Sequence, residues 1–262
     1  MRVSYVNYVD DATASGFTVL GSATGFPITN VQEQRLSVRW RSTACTAQTI
    51  IIDIGTSRAV NTAAIIQHNI SSSATASSII VSSNIDPTFT AGNVLTTLTR
   101  NSDMIVGFFD TQPTGHRYYQ FAIDDPLNTD GYLEIGRLWL GSYIQINPSS
   151  LNDFTVTKHN SDTVAFGKNR QKYATAGETW RSFEMSFPPT KSLSGDNTWD
   201  ISNVITLYDT VGKHDSFIFC NFDDLTTYDL VKPCYVSISN DIGFNHDKRQ
   251  YYEWSLVMEE NK

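Results

Sequence analysis

The sequence predicts a mainly β protein: a jelly-roll β-sandwich over residues 1–144, then a smaller α+β domain, a sheet with one helix, over residues 145–262. Three observations carry this. Aromatic residues make up 12% of the 262 positions, and Thr, Ser, Val and Ile are abundant, the residue types that suit a pleated, half-buried surface. The first part shows short apolar runs separated by turn residues, with no convincing helical period. Every basic side chain before residue 158 is Arg, whereas Lys dominates from Lys158 to Lys262. That shift coincides with residues 141–150, which end a strand and then supply breakers in Asn147, Pro148, Ser149 and Ser150.

In the first domain, residues 49–55 form a β-branched run closed by Gly55, and residues 62–68 follow after a polar turn. Residues 78–82, 94–98 and 105–109 are the next predicted strands. Residues 117–124 alternate, placing Tyr119, Phe121 and Ile123 on one face. The last strand is 132–140. About seven strands punctuated by turns indicate a sandwich or jelly roll. The Ser-rich stretch at 71–83 is interrupted by Ile79, Ile80 and Val81, so it reads as a loop entering a strand.

In the second domain, residues 180–187 put Phe183, Met185 and Phe187 on one strand face, ended by Pro188 and Pro189. Ile201, Val204, Ile205 and Tyr208 recur at helical spacing, giving a helix near 200–211 that Ser194 or Asp196 can cap and Gly212 can end. Strands resume at 217–220 and 235–238. The chain then closes on Tyr252, Trp254, Leu256 and Met258 in alternation.

The composition bounds function. A net charge of −8, with no dense run of Lys or Arg, excludes a nucleic-acid partner held by phosphate neutralisation. No stretch approaches the roughly 18 apolar residues of a membrane span, and no export signal is visible at the start. Cys45, Cys220 and Cys234 cannot all pair and lack zinc or redox spacing, so reduced cysteines are expected, with a Cys220–Cys234 bridge as the lesser reading.

No catalytic motif has its required spacing, no cofactor is implied, and no enzyme is expected. His68, His116, His159, His214 and His246 form no i, i+4 pair. Asp124 and Asp125, like Asp223 and Asp224, are adjacent and point to opposite faces, so they cannot flank one bond. Asp124–Asp125 and residues 128–131 read as turns, or as loop oxygens for a calcium ion. The cluster with most chemical content is Arg39-Trp40-Arg41. Trp40 is either a platform for a sugar ring, with Arg39 or Arg41 bonding its hydroxyls, or a plug for one end of the sandwich, with the arginines paired to acids.

Two segments carry a family resemblance. Residues 52–55 (Ile-Asp-Ile-Gly), followed by Val60 and the apolar Ala64-Ile65-Ile66, resemble the galactose-binding-like, discoidin type of jelly roll. Residues 131–141 (Gly-Tyr-Leu-Glu-Ile-Gly-Arg-Leu-Trp-Leu-Gly) look like its closing strand, and their wording is similar to that of minor tail and baseplate (distal tail) proteins of tailed bacteriophages. Asn30-Val31 and residues 39–42 fit the same pattern, so the resemblance spans about residues 25–141. It implies a structural component of a tail tip, in the virion and assembled in the host cytoplasm, working as a homo-oligomeric ring with tail-tube and tail-hub proteins. The alternative it implies is a carbohydrate-binding module for cell-surface glycan. The aromatics Phe217, Phe219, Phe222, Tyr228 and Tyr235 are the expected assembly surface, because one strand pair cannot bury them all.

Overall fold

The computed structural model describes residues 1–71, 78–90, 92–98, 104–109, 116–145, 153–166, 168–191, 201–220, 232–248 and 251–262. These form two compact units, one of Ser4–Ile144 and one of Met1–Val3 with Gln145–Lys262. Among the described residues the fold is mainly β with one α-helix, as the patterning predicts.

The unit of residues Ser4–Ile144 is a sandwich of two antiparallel sheets. Its larger sheet has the order β2-β4-β9-β6-β7, from β2 (Phe17–Val19), β4 (Gln48–Asp53), β9 (Tyr118–Asp124), β6 (Ser78–Asn84) and β7 (Asn93–Thr97). Its smaller sheet runs β3-β10-β5-β8, from β3 (Trp40–Arg41), β10 (Glu134–Gly141), β5 (Thr62–His68) and β8 (Met104–Phe108). Alternation sets the inward face: Ile50 opposes Phe121, which opposes Val81, and the next row joins Ile52, Tyr119 and Ser83. Those side chains meet Ala63, Ile65, Ile105, Leu138 and Leu140 of the smaller sheet in one core. Burial also pushes the Tyr119 hydroxyl up to about 12.

The smaller sheet is buried on its other face as well, which explains why β5 reads as a continuous apolar run instead of alternating. Arg137 and Trp139 lie there at 2% and 1% exposure. Trp139 Nε1 donates to Ser4 Oγ at 2.9 Å, and Arg137 donates to Asp10 at 2.6 Å and to the Gln32 carbonyl at 2.7 Å. Buried Asn7 completes the β10 edge: its side chain donates to the Leu138 carbonyl at 3.0 Å and accepts from the Leu140 amide at 3.1 Å. It thus stands in for a neighbouring strand. Asn7→Ala leaves both backbone groups unpaired, so a loss of about 2–3 kcal/mol is expected in urea unfolding, with Asn7→Asp intermediate.

In the second unit the sheet runs β11-β1-β16-β17-β19-β15-β12, with β18 against β19. Its strands are β11 (Ile144–Gln145), β1 (Arg2–Ser4), β16 (Ser216–Cys220), β17 (Cys234–Ile238), β19 (Tyr251–Glu260), β15 (Thr179–Lys191), β12 (Asp153–Asn160) and β18 (Phe244–Lys248). The N-terminal strand β1 therefore belongs to this sheet, whereas the sequence reading put residues 1–3 in the first domain. Three residues are too few to show a period, and the choice of sheet is a matter of backbone pairing. Pro188 and Pro189 do not end β15 as predicted. The register shifts between Phe187 and Thr190, a bulge that tolerates residues unable to donate to the ladder.

The core of this unit is aromatic. Phe183 pairs with Met258, Met185 with Leu256, and Phe187 with Trp254, whose rings stack at 3.6 Å. Phe183 also lies 5.4 Å from Phe219 and 6.3 Å from Phe154. The helix α1 (Ile201–Val211) buries Val204, Leu207 and Val211, and Gly212 follows at φ +51, where its amide closes the last turn on the Tyr208 carbonyl. The predicted caps Ser194 and Asp196 lie outside the described residues.

A two-stranded ribbon, β13 (Thr163–Phe166) with β14 (Lys172–Thr175), extends beyond the β12–β15 pair. All eight of its residues are exposed. Hydrogen bonds lock its root: the Asp162 amide donates to Asn160 Oδ1 at 2.8 Å, and the Gly177 amide to Asp162 Oδ1 at 2.6 Å. A Cβ on Gly177 would collide with the Ser161 backbone, so the tight root requires glycine there.

Candidate functional site

The edge strand β3 sorts the Arg39-Trp40-Arg41 cluster by face. In extended backbone neighbours point oppositely, so Trp40 turns into the core at 1% exposure, where its indole N–H donates to Ser22 Oγ at 2.9 Å. The plug is the structural outcome, and Trp40 offers no open ring face to a sugar. Arg39 and Arg41 turn outward.

Arg41 sits directly across the ladder from Glu134, and Trp40 across from Ile135. Glu134 receives both arginines, with Arg41 Nη2 at 3.3 Å from one carboxylate oxygen and Arg39 Nη1 at 3.5 Å from the other. The Arg41 guanidinium lies 4.2 Å from the centroid of the Phe26 ring and 4.3 Å from that of Tyr132. A cation placed against two rings gains from both quadrupoles, an arrangement that favours Arg over Lys. Local backbone bonds hold the cluster. Asn30 donates to the Arg39 carbonyl at 2.8 Å, Arg39 Nε to the Leu36 carbonyl at 3.2 Å, and the Ala23 amide to the Arg41 carbonyl at 2.8 Å. The side chains of Arg39, Arg41 and Glu134 keep 32%, 29% and 16% exposure. The outcome is a half-exposed set of fixed donors and one carboxylate, bordered by two aromatic rings. Phe26, Tyr132 and Glu134 were missed as site residues in the sequence, although the 131–141 motif contains two of them.

Other candidates resolve differently. Asp124 accepts from the Ala47 amide at 2.9 Å, and buried Asp125 accepts from the Ser71 amide at 2.7 Å, from its hydroxyl, and from Asn128 at 3.3 Å. These carboxylates clasp loops, and among the described residues no three His, Cys, Asp or Glu side chains converge on a metal site. Ser83 Oγ lies 2.8 Å from His116 Nδ1, and both residues are buried. His68 accepts from the Ile70 amide at 3.1 Å, a satisfied strand end. None of the three cysteines is in a disulfide, and burial raises the Cys234 thiol. No described helix is long and apolar enough to cross a membrane.

The expected assembly surface is corrected. Phe217, Phe219 and Tyr235 are 0%, 1% and 2% exposed, so they build the core of their own unit. Both faces of β16 are covered, which lets one strand bury more aromatics than a two-sheet count allows. Phe222 and Tyr228 lie outside the described residues. In this unit Val164, Phe166 and Tyr173 of the ribbon and Ile205 of the helix are exposed apolar side chains. In the same unit a cleft of about 200 Å³ is lined by Glu178, Thr179, Trp180, Glu259, Glu260 and Lys262.

No family model and no curated protein matches the chain. Solved structures do. Chitosan-binding module 1, from a chitosanase/glucanase of Paenibacillus sp. IK-5, is similar at 20% identity and a TM-score of 0.41, over 52% of this chain and 99% of that one. The family 32 carbohydrate-binding module of Clostridium perfringens NanJ, in complex with galactose, is similar at 11% identity and a TM-score of 0.41, over 55% and 99%. The family 32 module of AlyQ, in complex with 4,5-unsaturated mannuronic acid, is similar at 18% identity and a TM-score of 0.38, over 52% and 96%. None of these three is a tail or baseplate protein.

Proposed function

We propose that the sandwich unit is a non-catalytic glycan-binding module, and that it holds saccharide at the Arg39–Arg41–Glu134 cluster. The observation that carries this reading is Arg41, fixed between Phe26 and Tyr132 while it pairs with Glu134. Recognition of a hydroxyl-rich ligand needs polar groups already in place beside apolar ring surface, since ordering them at the moment of binding costs affinity. Two cations against one carboxylate leave the cluster positive within a chain of net charge −8. A saccharide bearing a carboxylate is therefore the better ligand than a neutral hexose, through charge-assisted hydrogen bonds from the guanidinium nitrogens that Glu134 does not use.

The test is calorimetric titration of the full chain with galactose and with an unsaturated mannuronic acid, the sugars named with the similar modules. Tighter binding of the uronic acid is expected, and Arg41→Ala should weaken it by about tenfold or more while the melting curve changes little. Absence of binding to both sugars by the unaltered protein overturns the proposal.

A second reading, a structural component of a phage tail tip that meets tail-tube and tail-hub proteins, rests on the resemblance of residues 25–141. The exposed apolar ribbon favours it, since such a surface suits an assembling protein. Mass spectrometry of purified particles tests it, and absence of the chain from them ends it.

A further inference from the structure

We propose that the β13–β14 ribbon of one copy docks into the Glu178–Trp180–Glu259 cleft of a second copy of this chain. This goes beyond glycan binding and depends on none of the glycan-cluster residues.

The ribbon is built to be covered. A two-stranded hairpin has little stability alone in water, and among the described residues this one has no third strand and none of its eight strand residues is covered. Cross-strand pairing puts Val164 opposite Ala174 and Phe166 opposite Lys172, so one face carries Val164, Phe166, Ala174 and the basic Lys172 together. Phe166 is 68% exposed and Val164 47%; Tyr173, on the other face, is 57% exposed. The locked root at Ser161, Asp162 and Gly177 holds the ribbon in one direction, which lowers the entropy lost on docking.

Charge selects the occupant. From residue 163 to 175 the chain has Lys168, Arg170 and Lys172 and no acid. All three are exposed, and none has an ion-pair partner among the described residues. The cleft has the opposite character. Glu260 is bound to Arg181, whose Nη2 donates to it at 2.7 Å, while Glu178 and Glu259 are exposed and have no ion-pair partner among the described residues. Exposed Lys262 lines the same cleft and offsets part of their charge, which leaves the lining acidic. Trp180 lines the same cleft, with its indole stacked on His159 at 5.2 Å. Two carboxylates beside an indole suit a lysine or arginine side chain, by Coulomb attraction and by the ring quadrupole. The ribbon is fully exposed in its own chain, so it does not fill its own cleft. One copy therefore offers a basic, apolar arm, and another offers an acidic, aromatic socket. Contact between unlike patches is heterologous, and it propagates into a closed ring or an open filament according to its rotation.

The experiment compares the full chain with two variants by sedimentation at low and moderate salt. One variant, K168E/R170E/K172E, reverses the arm. The other, E178K/E259K, reverses the socket. All five positions are exposed, and circular dichroism checks that both variants keep the native spectrum. The unaltered chain is expected to self-associate, more weakly as salt rises. Each variant alone should associate about a hundredfold more weakly. A mixture of the two should associate again, because the acidic arm of one then meets the basic socket of the other. A monomeric unaltered chain, an arm variant that assembles normally, or a mixture that stays monomeric each overturns the proposal.

Discussion

Replacing Trp40 with alanine is expected to destabilise the sandwich by about 3–5 kcal/mol, the range for truncating a large buried aromatic. The indole is 1% exposed in the shared core and uses its only polar atom on Ser22. Alanine removes the packing and leaves a cavity that two hydrogen-bonded sheets cannot collapse to fill. Trp40→Phe should cost less, because it keeps most of the volume and loses the Ser22 bond. Denaturant unfolding followed by tryptophan-independent far-UV dichroism measures both. A loss under about 1 kcal/mol for alanine would show that the side chain is not in the core. The same substitution separates roles within the tripeptide, since Arg41→Ala should leave the fold nearly intact and reduce saccharide binding.

Truncating Phe219 to alanine is expected to cost a similar amount, about 3–5 kcal/mol, in the unit of Met1–Val3 and Gln145–Lys262. Its ring lies 5.4 Å from Phe183 and 6.5 Å from Phe154, and aromatic contacts of that kind add to simple burial. The change should lower the unfolding midpoint without first altering sedimentation. Phe166→Ser on the ribbon should do the reverse, with association weakened and the midpoint held. If Phe219→Ala releases a folded monomer with an unchanged midpoint, Phe219 belongs to an interface after all.

These two aromatics show what a one-dimensional pattern holds. Trp40 and Phe219 both sit in apolar or alternating contexts, and either could face a core or a partner. Alternation tells that a side chain leaves the strand on one side, but not what covers that side. For β4 and β9 the alternation was enough, because one face of their sheet meets the other sheet and the opposite face is half-exposed. For β16 it failed, because both faces are covered. The ribbon escaped notice because Thr163–Phe166 and Lys172–Thr175 are four-residue strands with a polar turn between them.

Local patterning is enough for the β class, the strands of the sandwich from β4 to β10, the helix with its Gly212 stop, and the placement of Arg39 and Arg41 on the side opposite Trp40. Each of these follows from local backbone preference and side-chain period, which act over a few residues. That Trp40 is the side turned into the core is a tertiary outcome. Only the tertiary structure decided that β1 pairs with β16, that Glu134 faces Arg41 with Phe26 and Tyr132 at its sides, and that Glu178 and Glu259 share a cleft. Those contacts join residues tens to hundreds of positions apart, and their partners are chosen by sheet register and shared burial, which no local pattern encodes.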